Sequence, residues 1–191
     1  IRMLEKYFKG IAEVVAVPFI RICIFLRIKP NVLSFLGLVV VVYGCYFIYI
    51  EEINTGLLIL FTGLAIDGLD GPLARSTSQN SEIGAFIDSI IDRIAEMFIW
   101  SIFCIKFANS NIEIFLSFFI LTGSFLIPYI RAKSESVNLI NTVGLTPRPE
   151  RIIFAIFYMA VTPNIIFLYL FTIFIWITVL QRSVHLYRYL K

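Results

Sequence analysis

Asp67-Gly68-Leu69-Asp70-Gly71-Pro72-Leu73-Ala74-Arg75, then eight residues, then Gly84-Ala85-Phe86-Ile87-Asp88-Ser89-Ile90-Ile91-Asp92, places four aspartates inside sequence apolar enough for a membrane. A carboxylate within a bilayer-spanning helix costs several kcal/mol unless it is paired or binds a cation. Asp67 and Asp70 are three residues apart, and Asp88 and Asp92 are four apart. Residues at those spacings share a helix face, so each pair projects from one side of its helix. A short polar turn, Ser76–Ser81, joins the two helices and makes them antiparallel neighbours. Asp67 lies eight residues before the helix end at Arg75, about 12 Å along the axis. Asp92 lies ten residues into the next helix. The two pairs are therefore expected at similar depth.

Composition supports a membrane setting. The chain has 191 residues, 59% of them hydrophobic and 15% charged, where soluble domains average about 45–50% apolar. One domain, residues 1–191, is the natural expectation at this length. No cleavable leader pattern stands out in the first thirty residues. Cys23, Cys45 and Cys104 are scattered in apolar context and read as packing residues. His185 stands alone, which excludes a zinc site built on histidines.

Residues 2–17 carry Arg2, Glu5, Lys6, Lys9 and Glu13 at helical spacing against an apolar remainder. Such a helix lies in the membrane interface, and residues 1–29 are assigned to it. About 20 apolar residues cross the hydrocarbon core. Val32–Ile50, Gly56–Arg75, Glu82–Ile105 and Ile112–Ala132 meet that length as single helices, with a kink expected at Pro128. The run Ile152–Leu180 is too long for one upright helix, and Pro163-Asn164 near its middle marks a turn. Two helices are expected there, one starting near Pro147 and one ending near Tyr189. The fold class is thus an all-α integral membrane protein: an interfacial amphipathic helix followed by six transmembrane helices over 30–191.

With six spans, both termini, the 76–81 turn and the 133–150 loop fall on one side, and that side holds nearly every Lys and Arg. The positive-inside rule then makes this a multi-pass membrane protein whose termini and aspartates face the cytoplasm. Nothing in the pattern calls for nucleic acid.

Four carboxylates gathered in a poor dielectric are either partly protonated or bound to hard cations. Oxygen ligands without His or thiolate suit Mg²⁺, Mn²⁺ or Ca²⁺, and four of them suit a two-metal site of the kind that serves phosphoryl chemistry. Gly68, Gly71 and Gly84 serve either close helix packing or room for a nucleotide against the backbone. Arg75 either contacts a phosphate or anchors the interface.

The pattern D-x-x-D-G-x-x-A-R-x(8)-G-x-x-x-D-x-x-x-D resembles the signature of the CDP-alcohol phosphotransferases, membrane enzymes that move a phospho-alcohol from a CDP-linked donor to an acceptor hydroxyl and release CMP. Every fixed position is present. The resemblance implies that Asp67, Asp70 and Asp88 hold metal and, through it, the donor pyrophosphate. It implies that Asp92 is a metal-associated carboxylate and general base, and that Asp67, Asp70, Gly71, Ala74, Arg75 and Gly84 form the CDP site. It also implies a homodimer. Pro72 occupies a variable position, and a proline inside the helix is expected to bend it.

A second basic set concerns the acceptor. Arg131 and Lys133 end the fourth span, Arg148 and Arg151 open the fifth, and Arg182 lies near the end of the sixth. They serve either as anchors toward anionic membrane lipids or as ligands for a phosphorylated acceptor. These segments are similar to those of the subgroup making phosphatidylinositol phosphate or archaetidylinositol phosphate. By that likeness all five are acceptor-phosphate ligands, the acceptor is inositol 1-phosphate and the donor is a CDP-lipid of the diacylglycerol or archaeol type. Glycerol 3-phosphate as acceptor, or CDP-inositol as donor, fits the same motif. A cation transporter is the alternative of a different class. It lacks matching polar residues toward the far side of the membrane.

Overall fold

A computed structural model describes residues 17–79, 81–162 and 164–191. The expected interfacial helix therefore lies outside the described residues up to position 16, while residues 17–25 are helical. The helices that follow are α1 (Pro30–Tyr49), α2 (Ile53–Asp67), α3 (Asp70–Ser76), α4 (Glu82–Phe107), α5 (Asn111–Glu135), α6 (Arg148–Val161) and α7 (Ile166–Leu190). The described residues contain no strand.

Local chemistry accounts for the boundaries. Pro30 opens α1, where a missing N–H costs nothing. Glu51, with φ 71°, turns the chain between α1 and α2. Ser110 caps α5 by accepting from Glu113 N at 3.2 Å, and the Glu113 carboxylate returns to Asn109 N at 2.5 Å, a reciprocal cap. Pro128 stands inside α5, which runs through it as one helix. The last apolar run is two helices, as Pro163-Asn164 implied. Thr162 ends α6 in the left-handed region, and Asn164 Oδ1 accepts from Ile166 N at the start of α7.

Among the described residues, four helical stretches are long and apolar enough to cross a membrane: α1, α2 with α3, α5 and α7. The protein is accordingly a multi-pass membrane protein. α4 has the length, with 26 residues, but carries Asp88, Asp92, Arg93 and Glu96. α6 has 14 residues, about 21 Å, which is shorter than a hydrocarbon core of about 30 Å.

The chain divides into two compact units, Ile1–Phe47 with Thr55–Ala95, and Ile48–Asn54 with Glu96–Lys191. In the first unit, α1 and α2 run antiparallel with backbones almost touching. In the second, Gly123 of α5 packs on Ile175 of α7. Next to them the Phe119 and Trp176 rings stack 4.3 Å apart.

Candidate metal and nucleotide site

The position of Asp67 is set by glycines. A Cβ on Gly37 would lie 2.9 Å from both the nitrogen and the Cβ of Asp67. A Cβ on Gly44 would lie 2.7 Å from Leu60 N, and one on Gly63 would lie 2.7 Å from Val41 N. Real side-chain carbons do not come so close, so only glycine permits this α1–α2 contact. Gly37 and Gly44, like Gly56 and Gly63, are seven residues apart and therefore recur on one helix face. The contact brings Asp67 into the unit with 5% exposure.

The single helix expected over Gly56–Arg75 is broken at Gly68-Leu69, between α2 and α3. Leu69 N turns back to Ile66 O at 3.1 Å, a tighter pitch than the α-helix. The break lies four residues before Pro72, where the bend expected from that proline falls. Pro72 itself lies in the first turn of α3, where its absent N–H leaves no hydrogen bond unmade. The break also places Asp70 at the head of α3. Its Oδ1 accepts from Gly71 N at 2.5 Å, and its Oδ2 accepts from Ser34 Oγ at 2.6 Å.

Asp88 comes from α4. Asp67, Asp70 and Asp88 each offer a carboxylate oxygen, and the three oxygens lie within 4.8 Å of one another. Three like charges at that separation repel by several kcal/mol unless a proton is taken up or a cation sits among them. The donor set is oxygen alone, which fits a hard divalent cation and not zinc or copper. Asp92, one turn further along α4, is outside this set of three. Its carboxylate lies 3.6 Å from the Arg93 guanidinium. Three of the four aspartates expected together thus meet within 4.8 Å of one another.

Beside the triad lies a cavity of about 240 Å³. Gly71, Ala74 and Gly84, expected at the CDP site, line it together with Asp70 and Asp88. Arg75 is exposed, and its Nη1 would stand 3.4 Å from a Cβ built on Gly71. The cavity is also lined by Asn31, Ser34, Gln79 and Ser81, which sequence reasoning did not assign. Ser34 carried a signal. It is a polar residue on an otherwise apolar helix, three positions from Asn31 and so on the same face. Gly84 has a packing reason too, since a Cβ there would lie 3.0 Å from Ser81 Oγ and 3.3 Å from Asn31 Oδ1.

The five basic residues expected at the acceptor site all belong to the second unit, but their surroundings differ. Arg131 and Lys133 are exposed, and Arg131 Nε donates to Glu135 at 2.8 Å. Arg148 is half-buried in the first turn of α6. Arg151 is 1% exposed. Its Nε and Nη2 donate to the two oxygens of Glu96 at 2.6 and 2.9 Å, and its Nη1 donates to Thr146 O at 2.9 Å. Arg182 donates to Val143 O at 2.8 Å and to Ile127 O at 3.0 Å. Two of the five thus carry structural duties that the sequence did not announce.

The family model described as CDP-alcohol phosphatidyltransferase matches residues 27–183. An archaetidylinositol phosphate synthase of Pyrococcus horikoshii is 33% identical over 158 residues, covering 82% of this chain and 82% of that protein. A crystal structure of Mycobacterium tuberculosis phosphatidylinositol phosphate synthase with CDP-DAG bound has a similar fold, with TM-score 0.80 and 24% identity over 91% of this chain and 94% of that one. The same enzyme in complex with manganese and citrate also gives TM-score 0.80 at 24% identity, over 90% of this chain and 88% of that one.

Proposed function

Since the chain belongs to the CDP-alcohol phosphatidyltransferase family, we propose that it transfers a phosphatidyl-type group from a CDP-lipid to inositol 1-phosphate and releases CMP. The observation that carries this reading is the carboxylate triad of Asp67, Asp70 and Asp88 beside a cavity walled by Gly71, Ala74 and Gly84.

Asp67, Asp70 and Asp88 would hold Mg²⁺ or Mn²⁺, with Asp92 as a further ligand of a two-metal site. A cation bound there neutralises charge on the donor pyrophosphate and on departing CMP. Gly71, Ala74 and Gly84 leave room for the nucleotide against the backbone, and Arg75 supplies a guanidinium for a phosphate oxygen. Ser34 fixes the Asp70 carboxylate so that its orientation does not have to be found during the reaction. Asp92 is the general base. It takes the proton of the acceptor hydroxyl as the acceptor oxygen bonds to the lipid-bearing phosphorus, and the bond from that phosphorus to the CMP oxygen breaks. The acceptor's own phosphate binds basic side chains. Arg131, Lys133 and Arg148 are the contacts with accessible surface, while Arg151 and Arg182 shape the surrounding backbone. α4 and α6 complete six spans, both termini and the site face the cytoplasm, and the enzyme works as a homodimer.

The test supplies labelled CDP-diacylglycerol or CDP-archaeol with Mg²⁺ or Mn²⁺ and compares inositol 1-phosphate, glycerol 3-phosphate, free inositol and serine. CMP release is expected with inositol 1-phosphate in preference to the other three. Release with free inositol but not with its phosphate sinks the acceptor assignment.

A further inference from the structure

The segment between α5 and α6 connects two basic poles. Lys133 stands in the last turn of α5 and Arg148 in the first turn of α6. Between them the chain has no regular structure over 139–147, yet Asn141 and Thr146 are buried. Irregular backbone at a membrane protein's core needs partners for its polar groups. Here they come from one face of α7. Thr178 Oγ1 accepts from Leu145 N at 3.1 Å and from Thr146 N at 3.2 Å, and lies 2.9 Å from the Thr146 hydroxyl. Its own proton returns to Phe174 O at 2.9 Å. One turn later, Arg182 donates to Val143 O, and the Arg182 carbonyl accepts from Asn141 Nδ2 at 3.0 Å. Gly144, with φ 140°, packs directly on the Thr178 methyl, where a side chain would be excluded on both counts. The Thr146 carbonyl then takes Arg151 Nη1, which ties the loop to the Glu96–Arg151 pair.

We propose that Thr178 is a positioning residue for the acceptor: it holds the 141–147 loop in one conformation and thereby fixes Lys133 and Arg148 relative to each other. The inference rests on the reading of the acceptor as phosphorylated. A phosphate that must meet two separate cations gains most when their spacing is set in advance, because neither side chain then has to be ordered on binding. Thr178 is fully buried and does not touch the acceptor. Its effect passes through the loop backbone.

Thr178→Val keeps the shape and removes the oxygen that two loop N–H groups use. Initial rates are measured against inositol 1-phosphate and, separately, against the CDP-lipid. The expected result is an acceptor KM raised about tenfold, with the KM for the CDP-lipid changed less than about twofold and kcat nearly kept. Thr178→Ser, which retains the hydroxyl, should restore the acceptor KM to within about twofold of the parent. An acceptor KM unmoved in Thr178→Val overturns the proposal while leaving the acceptor assignment intact. So does a parallel rise of both KM values that serine does not rescue. If the parent enzyme uses glycerol 3-phosphate instead, the same split is read on that acceptor. A parent enzyme active only with uncharged acceptors overturns both readings before any variant is made.

Discussion

The two units bury polar groups for opposite ends. In the first, Asp67, Asp70 and Asp88 bring three charges of one sign within 4.8 Å. In the second, Glu96 and Arg151 bring opposite charges together at 2.6 and 2.9 Å with 0% and 1% exposure. A like-charged cluster is a cost that folding alone does not recover, and it is relieved by a proton or by a cation that binds there. An opposite-charged pair with its hydrogen bonds filled is complete without a ligand. The first pattern marks a place where chemistry is done. The second marks a frame. Charged residues in apolar helices therefore divide by the sign of their neighbours.

The sharpest way to break this contrast is at the triad. Asp70→Asn keeps the shape and removes one charge, and CMP release should fall by about 10³-fold or more, on the scale of removing a central electrostatic group. Circular dichroism should stay unchanged, because a framework residue would lose fold and activity together. Glu96→Gln should do the reverse, lowering stability by about 3–5 kcal/mol as a buried guanidinium loses its counter-charge. The melting temperature in detergent reads that loss. Replacing Glu96 and Arg151 together by apolar residues of similar volume should recover most of it. Chelation by EDTA should abolish turnover and leave the Glu96–Arg151 unit as stable as before, with Mg²⁺ or Mn²⁺ restoring activity. Gly37→Ala tests the backbone contact that places Asp67. Overpacking at 2.9 Å should cost about 1–3 kcal/mol and weaken Mn²⁺ binding, followed by electron paramagnetic resonance. Ser34→Ala, the smallest change, should slow turnover about tenfold, the lower end of the worth of one hydrogen bond to a carboxylate.

Much of this was legible from residue spacing. The aspartates at 67, 70, 88 and 92, the small residues at 71, 74 and 84, and the helical, membrane character all follow from short-range periodicity. The bend expected from Pro72 appears as a break four residues before it, at the carbonyl the proline ring would meet. The break at Gly68-Leu69 turned an interior position into a first-turn one. Asp92 shares one face of α4 with Asp88. It lies one turn beyond the three carboxylates that meet within 4.8 Å. Ser34 was overlooked because its partner is 36 residues away.

The sequence by itself determined that the protein is helical, that it belongs in a membrane, and that its acids suit a hard cation. Those properties depend on hydropathy, on 3.6-residue periodicity and on ligand chemistry, all of which are local. Only the tertiary structure decided which acids converge, that Gly37 lets α1 reach Asp67, and that Arg151 spends its guanidinium on Glu96, 55 residues distant in the chain. Arg131, Arg148, Arg151 and Arg182 carry the same charge on paper. Burial and the partner each side chain meets separate the exposed or half-buried ones from those built into the frame, and neither property is written in the residue's identity.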